Sequence, residues 1–117
     1  MHFKFRQMQN EDITLFINEM FEILASNMNV IAPTGNSYDA DFKIWSECVV
    51  PVLREGERSV ILIFCEDALC GFFQYLVNDT TFRMDEIQFK KEYQGCGLFT
   101  ELYHYLTTII SAQTKYV

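Results

Sequence analysis

The sequence predicts an α+β domain: a central sheet, mixed and mostly antiparallel, with helices on both of its faces. Three observations carry that expectation. The segment Val60-Ile61-Leu62-Ile63-Phe64 is apolar and largely β-branched throughout, as a strand covered on both faces must be. Two further strand-sized segments follow it across turns too short for a crossover, so the three are antiparallel neighbours. Apolar residues at helical spacing precede and follow this block, giving the order β-α-α-β-β-β-α.

The elements follow in turn. Phe3, Phe5 and Met8, with Lys4 and Arg6 between them, partly alternate and predict a short strand over 3–8. Asn10 offers a helix N-cap, with Glu11 and Asp12 in a first turn that favours negative charge. Ile13, Phe16, Ile17, Met20, Phe21 and Leu24 then form one stripe on a helix of about four turns. Pro33 to Ser37 breaks the chain. A second helix starts near Asp39, sets Phe42, Trp45, Val49 and Leu53 on one face, and is ended or kinked by Pro51. After a polar turn over Arg54–Arg58 come strands at Ser59–Cys65, Leu69–Val77 and Phe82–Phe89, joined by turns at Glu66-Asp67-Ala68 and Asn78-Asp79. The last helix runs from about Gly97 to Ser111, with Leu98, Phe99, Leu102, Tyr105, Leu106, Ile109 and Ile110 along its stripe.

Composition narrows the function classes. With 117 residues, 50% hydrophobic and 15% aromatic, the chain has the size and apolar content of one domain with its own core. No apolar run approaches the roughly 20 residues of a membrane span, and Met1 to Arg6 has no apolar core of a signal peptide. The cysteines at 48, 65, 70 and 96 form no Cys-x-x-Cys pair, and His2 and His104 complete no metal-ligand spacing. Free thiols in a reducing cytoplasm, with no metal, are the expectation. A formal charge of −7 disfavours nucleic acid, which needs a basic face, and suits a cationic or amine-bearing partner; it also serves solubility alone.

The most informative stretch is Glu86 to Phe99, a strand running through a glycine turn into the amphipathic last helix. Such a turn gathers unpaired N–H groups at the positive end of a helix, a seat for a phosphate or pyrophosphate. Glycine fits where close approach and positive φ leave no room for Cβ. The plainer reading is an ordinary strand-to-helix turn with glycines for steric reasons.

This turn, in this element order, resembles the GNAT superfamily of acyl-CoA-dependent N-acyltransferases, whose pyrophosphate motif is Gln/Arg-x-x-Gly-x-Gly/Ala at the join of the fourth strand and the next helix. Gln94-Gly95-Cys96-Gly97-Leu98-Phe99 matches it, with Phe99 at the position that is usually Gly or Ala. A large side chain there can point into the core and leave its N–H free. Glu92-Tyr93-Gln94-Gly95 resembles the stretch before the motif, Arg6 with Asn10-Glu11-Asp12-Ile13 the first strand and helix opening, and Glu66 to Phe72 the second hairpin. The likeness covers most of residues 3–112.

The resemblance implies acetyl-CoA as co-substrate and acetyl transfer to a primary amine of a small molecule or peptide by direct attack. Ile87 and Phe89 would offer main-chain hydrogen bonds to the pantetheine arm. The N–H groups of Gln94, Gly95, Cys96, Gly97, Leu98 and Phe99 would hold the pyrophosphate. Glu86 is the candidate base, or otherwise a solvent-facing carboxylate; strand alternation turns Asp85 to the opposite face. Tyr93, Tyr103 and Tyr105 are candidate acids, with Tyr105 on the apolar stripe. Cys96 and His104 are weaker candidates for chemistry, since the motif accepts any residue at the first place and the second sits in mid-helix. Tyr38, Phe42 and Trp45, with Asp39 and Asp41 nearby, fall where the family lines its acceptor side; core packing is the plainer reading.

The family continues with a fifth strand, a fourth helix and usually two more strands, and it carries its acid tyrosine there. The resemblance therefore implies a domain truncated after the helix that follows the pyrophosphate loop, with an open edge on the fourth strand. That edge allows two copies to pair as a homodimer. The alternative is a catalytically impaired CoA-binding or interaction module of the same fold.

Overall fold

The computed structural model describes residues 3–31, 34–56, 58–77 and 82–113. The break at Pro33, the turn at Asn78-Asp79 and the burial of Ile109 and Ile110 lie outside what it describes. In chain order the elements are β1 (Phe3–Gln7), α1 (Asn10–Ile31), α2 (Tyr38–Arg54), β2 (Ser59–Cys65), β3 (Ala68–Val77), β4 (Phe82–Phe89), a single 3-10 turn (Lys91–Tyr93) and α3 (Leu98–Gln113). The order is the one expected from the sequence.

The strands form one sheet in the order β1-β2-β3-β4, and every described pairing is antiparallel. The β2–β3 hairpin closes through Glu66 and Asp67, both at positive φ (51° and 69°), which matches the twist of the flanking strands. Helices cover both faces. On one, Ile13, Met20 and Ile23 of α1 and Leu53 of α2 bury Val60, Leu62, Leu69 and Phe72. On the other, Leu98, Leu102 and Leu106 of α3 bury Phe3, Ile61, Ile63, Phe73 and Tyr75. The alternating side chains of β2 and β3 thus feed two cores, which is why β2 reads as apolar throughout.

Local details depart from expectation. Asn10 is the first residue of α1 rather than its cap; the carboxylate of Asp12 reaches back to the Gln9 N–H at 2.8 Å, half of a capping box. That carboxylate is almost fully buried and also takes the Arg6 guanidinium at 2.9 and 3.0 Å, which pins β1 to α1. The Arg6 guanidinium in turn lies over the rings of Phe16 and Phe64. Helix α1 is 22 residues long, two turns more than its apolar stripe indicates. Helix α2 begins one residue earlier than expected, with the Ser37 hydroxyl accepting from the Ala40 N–H. Pro51 sits within its last turn, and the helix runs on to Arg54 before ending.

The stripe of α3 is narrower than expected. Leu98, Leu102 and Leu106 are buried and Tyr105 is half-buried, but Phe99 is 56% exposed. The expectation that Phe99 points into the core is overturned: it lies one residue, or about 100°, around the helix from Leu98, which takes the core position.

Candidate functional site

Strand β4 has one strand neighbour, β3, among the described residues, and the direction of its main-chain groups can be worked out from one bond. The Lys90 N–H donates to the Cys70 carbonyl at 2.8 Å. In an antiparallel ladder, bonded and non-bonded pairs alternate, so the next pairs, Gly71–Phe89 and Phe73–Ile87, are out of phase with it. The N–H and C=O groups of Ile87 and Phe89 therefore point away from β3, towards the open edge. One of them is taken: the Phe89 carbonyl accepts from Asn27 Nδ2 at 2.9 Å and from Gln94 Nε2 at 3.2 Å.

The chain then turns through Lys91–Tyr93 and two glycines at positive φ, Gly95 (83°) and Gly97 (79°). A Cβ at either would meet open space, so backbone conformation rather than crowding calls for glycine there. Of the six amides expected to converge, Gln94 N–H donates to the Lys91 carbonyl at 3.2 Å and Cys96 N–H to the Tyr93 carbonyl at 3.4 Å. These two are occupied within the turn. The first N–H of α3 that finds a helical acceptor is that of Glu101, 3.2 Å from the Gly97 carbonyl. Among the described residues the amides of Gly95, Gly97, Leu98 and Phe99 have no main-chain acceptor, and all but Leu98 belong to exposed residues. This is the anion-attracting end of a 16-residue helix.

Glu86 lies on the other face of β4. Its Cα partner is Gln74, and Gln88 pairs with Phe72, so both side chains fall on the face covered by α1 and α2. Gln88 Nε2 stands 3.4 Å from Glu86 Oε1, and Asn27 Nδ2 on α1 donates to Gln88 Oε1 at 2.9 Å. Desolvation raises the Glu86 carboxyl above its ordinary value, against the Gln88 donor and the Arg58 charge, and Asp85 adds to the rise.

The expected opposition of Asp85 and Glu86 does not hold. The register shifts between Gln74 and Tyr75, whose partners are Glu86 and Met84, so Asp85 is the extra residue of a bulge and alternation fails there. Asp85 bonds Arg83 at 2.8 Å and pairs with Arg58 at 3.4 Å, so both carboxylates answer to the same Arg58 guanidinium.

The remaining candidates are placed apart from this strand. Tyr105 stacks on Phe5 and Tyr93 meets Phe3 edge-on, both against β1, the opposite edge of the sheet. Tyr103 and His104 are exposed on α3 with their rings in contact. Cys96 is exposed, its thiol 3.7 Å from the Glu92 carbonyl. Tyr38, Phe42 and Trp45 cluster around the buried Phe21 of α1, and Asp41 accepts from Thr34 and Asn36, so these residues join two helices. Asn27, Gln88 and Arg58 carry no motif and are missed by sequence reasoning; the two-residue spacing of Glu86 and Gln88 on one strand face is the signal that was present.

No group of three potential metal ligands occurs among the described residues, and no helix among them is long and apolar enough to cross a membrane.

No family model and no curated protein matches the sequence. Solved structures do match the fold. A ribosomal-protein-alanine N-acetyltransferase from Brucella melitensis biovar Abortus 2308 superposes with a TM-score of 0.68 at 14% identity, over 98% of this chain and 77% of that one. The PaiA N-acetyltransferase from Thermoplasma acidophilum, solved in complex with coenzyme A, gives 0.67 at 16% identity, over 96% and 74%. An aminoglycoside acetyltransferase from an uncultured soil metagenomic sample, in complex with sisomicin, gives 0.71 at 11% identity, over 98% and 74%. The chain has the fold of the GNAT acetyltransferases.

Proposed function

We propose that this protein is an acetyl-CoA-dependent N-acetyltransferase that acylates a primary amine by direct attack. The observation that carries the reading is the set of four amides, Gly95, Gly97, Leu98 and Phe99, left without main-chain acceptors at the start of α3. They stand one 3-10 turn beyond a strand whose outward main-chain groups run along an edge with no strand partner among the described residues. A neighbour of the same fold was solved in complex with coenzyme A, and others are a ribosomal-protein-alanine N-acetyltransferase and an aminoglycoside acetyltransferase, which fits an amine acceptor of small-molecule or peptide type.

In this reading the pyrophosphate sits on the four amides, and the pantetheine arm meets the Ile87 main chain and the Phe89 N–H. Glu86 takes a proton from the incoming ammonium. The freed amine attacks the thioester carbonyl, the C–S bond breaks, and the departing thiolate takes up the proton that the nitrogen sheds as it becomes the amide. Two copies paired through β4 would complete the open side of the cleft; a chain that elutes only as monomer in size-exclusion chromatography counts against that assembly. We place the enzyme in the cytoplasm, where its free thiols stay reduced. A second reading, a CoA-binding module with impaired catalysis, draws on the occupied Phe89 carbonyl, which leaves one fewer group for the pantetheine.

The test is a calorimetric titration with CoA, paired with a thiol-release assay on acetyl-CoA and a panel of amines. Binding with release supports the enzyme, and binding without release the module. Gly97→Glu sets a carboxylate beside the four amides and is expected to weaken CoA binding at least about a hundredfold. The positive φ at that position costs only about 1 kcal/mol of stability, so the fold survives. Undiminished affinity in that variant removes the site.

A further inference from the structure

Glu86 ends a chain of side-chain amides whose polarity is dictated by the backbone. The Phe89 carbonyl can only accept, so the Asn27 atom 2.9 Å from it is the amino nitrogen Nδ2. The same nitrogen lies 2.9 Å from the Gln88 side chain, so Gln88 presents Oε1 to it. With its oxygen engaged by α1, the Gln88 amide has one remaining orientation, in which Nε2 faces Glu86 Oε1 at 3.4 Å. We propose that Asn27 and Gln88 are positioning residues: together they hold the Glu86 carboxylate at the α1 side of β4 and present it with a donor that cannot flip to an acceptor. The catalytic consequence of this arrangement rests on the base reading of Glu86 given above; the orientation itself does not.

The surroundings make the donor matter. Glu86 is partly desolvated, which favours its neutral form. Opposite it on β3 stands the buried Gln74, and the charges acting on it are Arg58, just before β2, and Asp85 in the β4 bulge. Nε2 of Gln88 stabilises the carboxylate; Oε1 in its place would repel it. Asn27, from a different element, selects between the two. The same Asn27 nitrogen binds the last carbonyl of β4, so the relay also ties Glu86 to the strand end that leads into the glycine turn.

The experiment is a carbon-detected NMR titration of the Glu86 side-chain carboxyl in the full chain, with Glu86→Gln identifying the signal. Gln88→Met keeps the length and removes the donor. Asn27→Leu keeps the bulk and frees the Gln88 amide to rotate. Both are expected to raise the Glu86 midpoint, by up to about one pH unit for the loss of one hydrogen bond to the charged form. Midpoints unmoved in both variants overturn the proposal, and movement in Gln88→Met alone removes Asn27 from it. Should Gln88→Met fail to fold, Asn27→Leu decides. Failure of the base reading is separately visible: Glu86→Gln would then keep the wild-type rate of acetyl transfer while the midpoints still shift, leaving the positioning role in place without a catalytic one.

Discussion

Strands β3 and β4 lie side by side as an antiparallel pair yet live in different surroundings. β3 is paired on both edges and covered on both faces, and Leu69, Cys70, Phe72, Phe73 and Tyr75 are at most 2% exposed. β4 is paired on one edge among the described residues; none of its side chains is fully buried, and Met84 is 63% exposed. Two strands of similar length thus divide the labour. β3 holds two cores together, whereas β4 carries a carboxylate, a bulge, outward main-chain groups and the run into the glycine turn. Substitutions along β3 should register as stability, and those along β4 as binding and chemistry.

The largest contrast should be in thiol reactivity. Cys96 and Cys48 are exposed, whereas Cys65 and Cys70 are buried. Burial, together with the neighbouring Cys65, pushes the Cys70 thiol up to about 11. A thiol reagent should modify two cysteines of the native chain rapidly and the other two only through opening, at least about a thousandfold more slowly. Mass spectrometry of timed samples would read the sites; fast modification of Cys70 would break the distinction between the strands. Next in size is Phe72→Ala, which empties a fully buried site in the α1–α2 core and should cost about 3–5 kcal/mol in urea unfolding.

The glycines sharpen the contrast. A Cβ at Gly71 in β3 would lie 2.6 Å from the Gln88 carbonyl and 2.8 Å from the Phe89 ring, so it is the close approach of β4 that requires glycine. Gly97 faces open space and is required only by its φ of +79°. Gly71→Ala should therefore cost about 1–3 kcal/mol with some displacement of β4, more than Gly97→Ala, for which strain alone amounts to about 1 kcal/mol. If equilibrium unfolding ranks the two variants the other way, crowding is not what fixes Gly71.

How much of this was legible in the sequence depended on whether the cause was local. β2 was readable because burial on two faces leaves a continuous apolar run, and β3 because a short turn joins a second strand-sized segment to it. The glycine turn was readable because positive φ selects a residue type. The last two turns of α1 were not, since the apolar stripe stops at Leu24. What keeps that segment helical includes a contact 62 residues away, Asn27 to the Phe89 carbonyl. The bulge at Asp85 was hidden for the same reason: it is a property of β4 against β3, and a strict period of two cannot announce its own failure. Phe99 shows where a periodic stripe misleads: Leu98 takes the core position, and Phe99, about 100° further round α3, stays exposed.

The smallest effect is also the one that tests β4 as a strand shaped for chemistry. Desolvation raises the Glu86 carboxyl in the folded chain above its ordinary 4.5, so the native state holds that proton more tightly than the unfolded one. Its contribution to stability is then fully present below the unfolded value and is lost as pH rises through the folded one. Gln at this position keeps the neutral shape at every pH. Glu86→Gln should match the wild type in acid and become the more stable of the two as pH climbs from about 4.5 towards neutrality, by less than about 1 kcal/mol since the site is only half-buried. A residue that weakens the fold at working pH and strengthens it when neutralised is held there by something other than stability. Thermal melts across that pH range would measure the crossing, and a variant less stable than wild type at neutral pH would show that the charge of Glu86, with Arg58 as its partner, supports the fold.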